Sequence, residues 1–257
     1  PEKMPLPKFR PEELANKTEY QRKDSVWAHN EPGYFDVAHM SERDRREVTA
    51  AYAAMVALID TQFGRILDAL EATGQSENTI VIFMSDHGEL LGDHGLYLKG
   101  PHFYEEAVRV PLILRWPGRC AAGQRIQDMV ELLDLAPTLC DLSGVPPEPG
   151  YQGHSLRALL EGGPGGAPLR EDVFSEYYNA WTHKRSYGSM LRTAHEKLVV
   201  YHGTDEGEYY DLTRDPDEFE NLWGVAEVRD RQLALMKRLF DRSVFSLDPL
   251  PIRLGPF

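Results

Sequence analysis

The sequence predicts an α/β layered domain followed by a small antiparallel sheet and a closing helix. Three observations carry this. Val48, Tyr52, Met55, Ile59, Phe63, Ile66 and Leu70 recur at spacings of three and four, one face of a long helix. "TIVIFMS" (79–85) and "VPLILRW" (110–116) are continuous apolar runs of strand length. Beyond residue 168 the texture changes to short strand-like pieces separated by turn residues.

The elements follow in order. "PEKMPLPKFRPEEL" places four prolines within its first eleven residues, and residues 1–40 are expected to be irregular. The opening has neither an initiator Met nor a signal-peptide core, so the chain is expected to be a downstream portion of a longer protein. Ser41-Glu42-Arg43-Asp44 has the form of a capping box and opens the long helix, which ends near Thr73-Gly74. The run 79–85 is rich in β-branched residues and is expected to form a central strand covered on both faces. A second strand over 110–116 closes at Pro117-Gly118. "DLAPTLCDLSG" (134–144) predicts a short helix with Pro137 in its first turn and Gly144 after its end, and "SLRALLEG" predicts another. "GGPGGAP" (162–168) is a turning connector, which sets a boundary near residue 165 between domains 1–165 and 166–257. Strands are expected at "DVFSEYY", "GSMLRT", "KLVVYH" and "GEYYDL", then a helix over about 226–243 carrying Val228, Leu233, Leu235, Met236 and Leu239.

Bulk composition excludes several functions. Of 257 residues, 42% are apolar and 27% charged, as in an ordinary globular protein. A net charge of −13 argues against nucleic acid or an acidic membrane surface as partner. No apolar run approaches the ~20 residues needed to span a bilayer, so a soluble chain is expected, with its compartment unspecified. Cys120 and Cys140 are the only cysteines, too few for a disulfide framework or a thiolate metal cluster. An anionic substrate would therefore require a local reversal of sign by a metal or by focused basic residues.

The candidate site is "SDHGELLGDHGLYLKGPH" (85–102), where a greasy strand ends in acids, imidazoles and a lysine. Ligands of α/β sheets gather at the carboxyl ends of strands. Asp86 and His87 stand at such an end, and Gly88 lets the chain turn. A carboxylate beside an imidazole can coordinate one divalent cation or two adjacent ones. Equally, Asp86 can cap a following helix while His87 sits in a solvated loop. Asp93 and His94 are expected to brace the turn between Gly92 and Gly95. Glu105, Glu106 and Arg109 are expected to form ion pairs fixing the loop before the next strand.

"SDHGELLGDHG", the lysine of "LKGP", "YEEAVRVPLILRWPG", "LLDLAPTLCDLSGV", "GHSL" and the distal "MLRTAHEKLVVY…EYYDLTRDPDEFENL" together resemble the sulfatases, a branch of the alkaline phosphatase superfamily. The resemblance runs from about residue 48 to 240. It implies part of an alkaline-phosphatase-like sandwich, with a mixed sheet between helices and a small carboxyl-terminal antiparallel sheet packed on a helix. It implies that Asp86 and His87 are metal ligands and that Lys99 contacts the sulfate oxygens; in isolation Lys99 reads as a surface lysine. It implies one divalent cation, calcium in an ordinary sulfatase. Imidazole at position 87 leaves manganese or zinc open, as in phosphonate monoester hydrolases and phosphodiesterases of the superfamily. His102 either lines the pocket near the leaving group or sits in an exposed loop. Trp181 and His183, in "NAWTHKRSYG", either touch the organic part of a substrate or belong to an exposed hairpin.

The family's nucleophile is a formylglycine made from Cys or Ser in a Cys/Ser-x-Pro/Ala-x-Arg signature. Here Cys120 precedes Ala-Ala-Gly-Gln and Cys140 precedes Asp-Leu-Ser-Gly, so this chain has no nucleophile. The resemblance thus implies the carboxyl portion of a sulfuric ester hydrolase, its partner being the missing amino-terminal half and its substrate a sulfate ester. The chain alone is expected to be inactive and to self-associate. Two alternatives are a phosphonate monoester or phosphodiester hydrolase, and a non-catalytic anion-binding module.

Overall fold

A computed structural model describes residues 1–162, 168–178 and 186–246. The element order is α1 (Glu19–Asp24), α2 (Glu42–Ala72), β1 (Val81–Met84), α3 (Glu105–Val108), β2 (Leu112–Arg115), α4 (Leu135–Ser143), α5 (Arg157–Leu160), β3 (Asp172–Tyr178), β4 (Tyr187–Thr193), β5 (Glu196–Tyr201), β6 (Gly207–Asp211) and α6 (Arg229–Phe245). The α/β class holds. The connector at 163–167, with the boundary expected near residue 165, lies outside the described residues, as do Trp181 and His183.

The capping box at α2 forms as its sequence requires: the Asp44 amide donates to Ser41 Oγ, and the Ser41 amide donates to the Asp44 carboxylate. The helix runs 31 residues without a buried position, and Met55, Ile59 and Ile66 are each more than half exposed. Its apolar stripe is real, but only part of it meets the rest of the chain, for instance where the Phe63 ring packs edge-on to Phe83 of β1 at 5.2 Å.

β1 and β2 pair antiparallel, Val81 opposite Arg115 and Met84 opposite Leu112. Each is shorter than its apolar run. Pro111 has no amide proton to donate and ends the run of β2 on that side. The expectation that 79–85 is covered on both faces is not met: among the described residues Met84 is 39% and Ile113 60% exposed. A continuous apolar run specifies burial, but not which segment supplies the cover.

The second sheet has strand order β3-β4-β5-β6, all antiparallel, at the four predicted places. Period-two alternation divides its side chains. One face carries Leu191, Leu198 and Tyr209 onto Leu235 and Leu239 of α6. The other carries Met190, Val199 and Tyr201 onto Phe103, and Tyr210 onto Leu90, Leu96, Tyr104 and Ala107. The inner face therefore grips the segment that follows Lys99. Gly188 is needed there, because a Cβ would lie 2.8 Å from the Phe103 ring. In α6 the predicted Leu235 and Leu239 are buried, whereas Leu233 and Met236 face outward.

Residues 1–40 depart most from expectation. They form short helical turns whose polar side chains are interior: Glu13, Lys17, Gln21 and Asp24 are all buried. Lys17 Nζ donates to Tyr210 Oη at 2.9 Å, and Gln21 Nε2 donates to the His94 carbonyl at 3.0 Å. Hydrophobic periodicity is blind to a segment that docks through polar groups.

Lys197 is the deepest of these buried charges. Its Nζ lies 2.8 Å from Glu105 and 2.7 Å from Glu218, and donates to the Phe103 carbonyl at 2.9 Å. Removing one partner of a buried ion pair strands the others. Lys197→Met is expected to destabilise the fold by about 3–5 kcal/mol, measured as a fall in the urea unfolding midpoint at unchanged slope.

Candidate metal and anion site

Asp86 and His87 follow β1 directly, and the turn that presents them is held by backbone contacts. The Gly88 amide donates to the Ala107 carbonyl at 2.8 Å, docking the turn on α3. A Cβ at position 88 would stand 1.8 Å from the Glu106 carbonyl oxygen, so this approach admits only glycine. Ser85 Oγ donates to the His87 carbonyl at 2.7 Å. Both side chains reach solvent, Asp86 at 83% and His87 at 46% exposure.

The His87 ring has a defined polarity. Its Nδ1 lies 2.8 Å from the Gly88 carbonyl, which can only accept, so Nδ1 carries the proton. In the neutral ring Nε2 then offers its lone pair, 3.8 Å from Asp86 Oδ2. The Asp86 and His87 backbone amides hold the Asp86 carboxyl below the usual carboxylate range. An ionised carboxylate and an imidazole lone pair facing one space suit a divalent cation. Among the described residues no group of three or more His, Cys, Asp or Glu converges on such a point.

Lys99 is exposed, and its charge reaches Asp86. Asp86, His87 and Lys99 all reach solvent, Asp86 and His87 side by side and Lys99 on the segment that Glu89 bonds to their turn. His102 does not join them. Its ring is buried, with Nε2 2.9 Å from the Asp24 carboxylate of α1. An exposed loop does not describe that position: a carboxylate from the amino-terminal segment draws the imidazole inward. His94 is likewise interior, 3.0 Å from Glu13 and stacked on Tyr104 with centroids 3.8 Å apart. Asp93 accepts from the Lys8 amide. Both brace the 92–95 turn, in keeping with their expected structural role. Glu105 forms ion pairs with Arg192 and Lys197.

Sequence reasoning missed the residues that hold this surface in place, Glu89, Asp24, Lys197 and Tyr201. Tyr201 Oη donates to the Pro101 carbonyl at 2.6 Å. One signal was available: alternation along β5 puts Lys197 on the same face as Val199 and Tyr201, and a lysine in an apolar stripe requires buried partners.

Two family models match the chain, "N-sulphoglucosamine sulphohydrolase, C-terminal" over residues 92–244 and "Sulfatase" over 10–145. An N-acetylglucosamine-6-O-sulfatase of Bacteroides thetaiotaomicron is 39% identical over 193 residues, 73% of this chain and 34% of that protein. An arylsulfatase of Clostridium perfringens is 31% identical over 199 residues, 75% of this chain and 39% of that protein. The chain therefore spans between a third and two-fifths of the length of these relatives. Among solved structures, one in complex with its substrate D-glucosamine-2-N,6-O-disulfate is 33% identical, with a TM-score of 0.74 over 83% of this chain and 44% of that one. The phosphonate monoester hydrolase of Agrobacterium radiobacter is 30% identical, with a TM-score of 0.74 over 82% of this chain and 44% of that one.

The fit at position 88 yields a direct test. Gly88→Ala is expected to push the turn off α3 and destabilise the chain by about 1–3 kcal/mol. Hydrogen exchange at residue 88 checks it: the amide now bonded to Ala107 should lose its protection.

Proposed function

From the premise that this chain belongs to the sulfatase family, we propose that it is the carboxyl portion of a sulfuric ester hydrolase. The observation that carries this is the turn after β1, which presents Asp86 and His87 3.8 Å apart at the surface and is bonded through Glu89 to the backbone just before Lys99. Sugar and aryl sulfates are the substrates to assay first, given the relatives' names.

Asp86 Oδ2 and His87 Nε2 would supply two ligands of one divalent cation, calcium first, with manganese or zinc allowed by the imidazole. When bound, that cation would polarise the sulfate oxygens. The chain's own contribution is otherwise electrostatic. The Lys99 ammonium faces negative charge as it builds on the sulfate oxygens, and its fixed backbone limits reorganisation at that moment. Asp86 stays ionised because backbone amides and neighbouring positive charge favour the carboxylate. Neither free thiol, Cys120 or Cys140, lies in the nucleophile signature, so the attacking formylglycine would come from the remainder of the polypeptide.

The exposed apolar stripe of α2 and the open face of β1 and β2 support a covering partner. The proposed cover is the rest of the same polypeptide, whose relatives are longer than this chain. No described helix is long and apolar enough to cross a membrane.

Full-length protein is expected to hydrolyse an aryl or sugar sulfate, and Lys99→Ala to lower kcat/KM by about 100-fold or more. Residues 1–257 alone are expected to show no turnover; hydrolysis by that chain, abolished by Lys99→Ala, would contradict the proposed division of labour. Faster cleavage of a matched phosphonate ester than of the sulfate would favour the phosphonate hydrolase reading, which His87 and the Agrobacterium radiobacter neighbour recommend. Absence of both activities, with no Cys/Ser-x-Pro/Ala-x-Arg codons upstream, would favour an anion-binding module. Separately, sedimentation of residues 1–257 is expected to show self-association through the uncovered apolar surface; a monomer at every concentration would argue against it.

A further inference from the structure

Glu89 lies in sequence between the two halves of the site and is half-buried. One of its carboxylate oxygens, Oε1, accepts from two backbone amides, Leu98 at 2.6 Å and Leu91 at 3.2 Å. Both leucines are in the left-handed region, Leu91 at φ 48° and Leu98 at φ 67°. A side-chain-bearing residue occupies that region at a cost, and keeps it only when surrounding contacts impose it. Leu98 is also tied through its carbonyl, which accepts from the Leu90 amide at 3.1 Å. Both backbone polar groups of the residue before Lys99 are thus bonded to Glu89 and Leu90, on the same strand exit as Asp86 and His87.

The other flank of Lys99 is held independently. Tyr201 fixes the Pro101 carbonyl and Lys197 the Phe103 carbonyl. These contacts anchor the segment to the sheet. The Glu89 contact and the Leu90–Leu98 bond link the backbone before Lys99 to the turn that carries Asp86 and His87.

The geometry points to Glu89 as the positioning residue that fixes the backbone presenting Lys99 relative to the turn that carries Asp86 and His87. This rests on the sulfate-ester reading and deepens it. Glu89 reaches no reacting atom. It acts by holding two strained amides, and a glutamine carbonyl oxygen at the same place can accept the same two bonds.

The test uses the full-length protein. Glu89→Ala is expected to lower kcat/KM on a sulfate ester by about 100-fold, the scale of a small misplacement of a catalytic group. Glu89→Gln is expected to stay within about threefold of wild type, since both amide bonds survive. In a Lys99→Ala background, Glu89→Ala is expected to cost less than about threefold more, because residues acting as a unit are not additive. Hydrogen exchange at the Leu98 amide is expected to quicken by about tenfold in Glu89→Ala, with the Leu191 and Leu198 amides unchanged. Wild-type turnover in Glu89→Ala would overturn the inference, as would an equal loss in both backgrounds or a Glu89→Gln variant as impaired as Glu89→Ala. A wild-type protein without sulfate turnover would instead overturn the sulfate-ester reading, and Leu98 exchange would still decide whether Glu89 holds the backbone before Lys99.

Discussion

A single ammonium group organises the interior. Lys197 is fully buried on the inner face of the four-stranded sheet, between Glu105 at the start of α3 and Glu218 beyond β6. A buried charge is tolerable only when its neighbours complete its bonding. Here the completion draws in the Phe103 carbonyl, while Glu218 also accepts from the Glu105 amide at 2.8 Å. Strand, helix and the loop after Lys99 are thereby fixed to one point. Tyr201, Gly188 and Met190 then pack around Phe103, and the backbone leading to the site inherits their rigidity.

The amino-terminal segment extends the same principle. Lys17 and Glu13 sit among Tyr210, Tyr104 and His94, and burial pulls the Lys17 ammonium below its usual range against the carboxylates around it. Asp24 takes His102. These are side chains that a sequence pattern assigns to the surface, yet they form the joint between the first forty residues and the rest. Their positions explain why "SDHGELLGDHG" is so rich in polar groups: Glu89 and His94 face inward to hold the turn, while Asp86 and His87 face outward.

That division has a physical logic. Asp86, His87 and Lys99 are held through their backbones, by Gly88 on Ala107, by Leu98 on Glu89 and by Pro101 on Tyr201. Their side chains remain open to solvent, and those of Asp86 and His87 bond to the backbone of their own turn. Groups proposed to meet an ion or an anion are thus held in place without being neutralised. The open apolar face beside them, formed by α2, β1 and β2, contrasts with the closed core around the second sheet.

The amino-acid sequence by itself determined the elements whose signals are local. The Ser41–Asp44 box, the stripe from Val48 to Leu70, the αL glycine after α4 and the four alternating strands all appear at their predicted places, because capping, period and turn chemistry act between near neighbours. The motif at 85–99 nominated Asp86 and His87 from residue type and order, and Lys99 through the family resemblance. Only the tertiary structure decided that β1 and α2 remain partly uncovered, that residues 1–40 dock through buried charges, and that His102 turns inward to Asp24. Those outcomes depend on partners 78 or more residues away in the chain for His102 and 94 for Lys197, and contacts at such separation leave no periodic trace in the sequence.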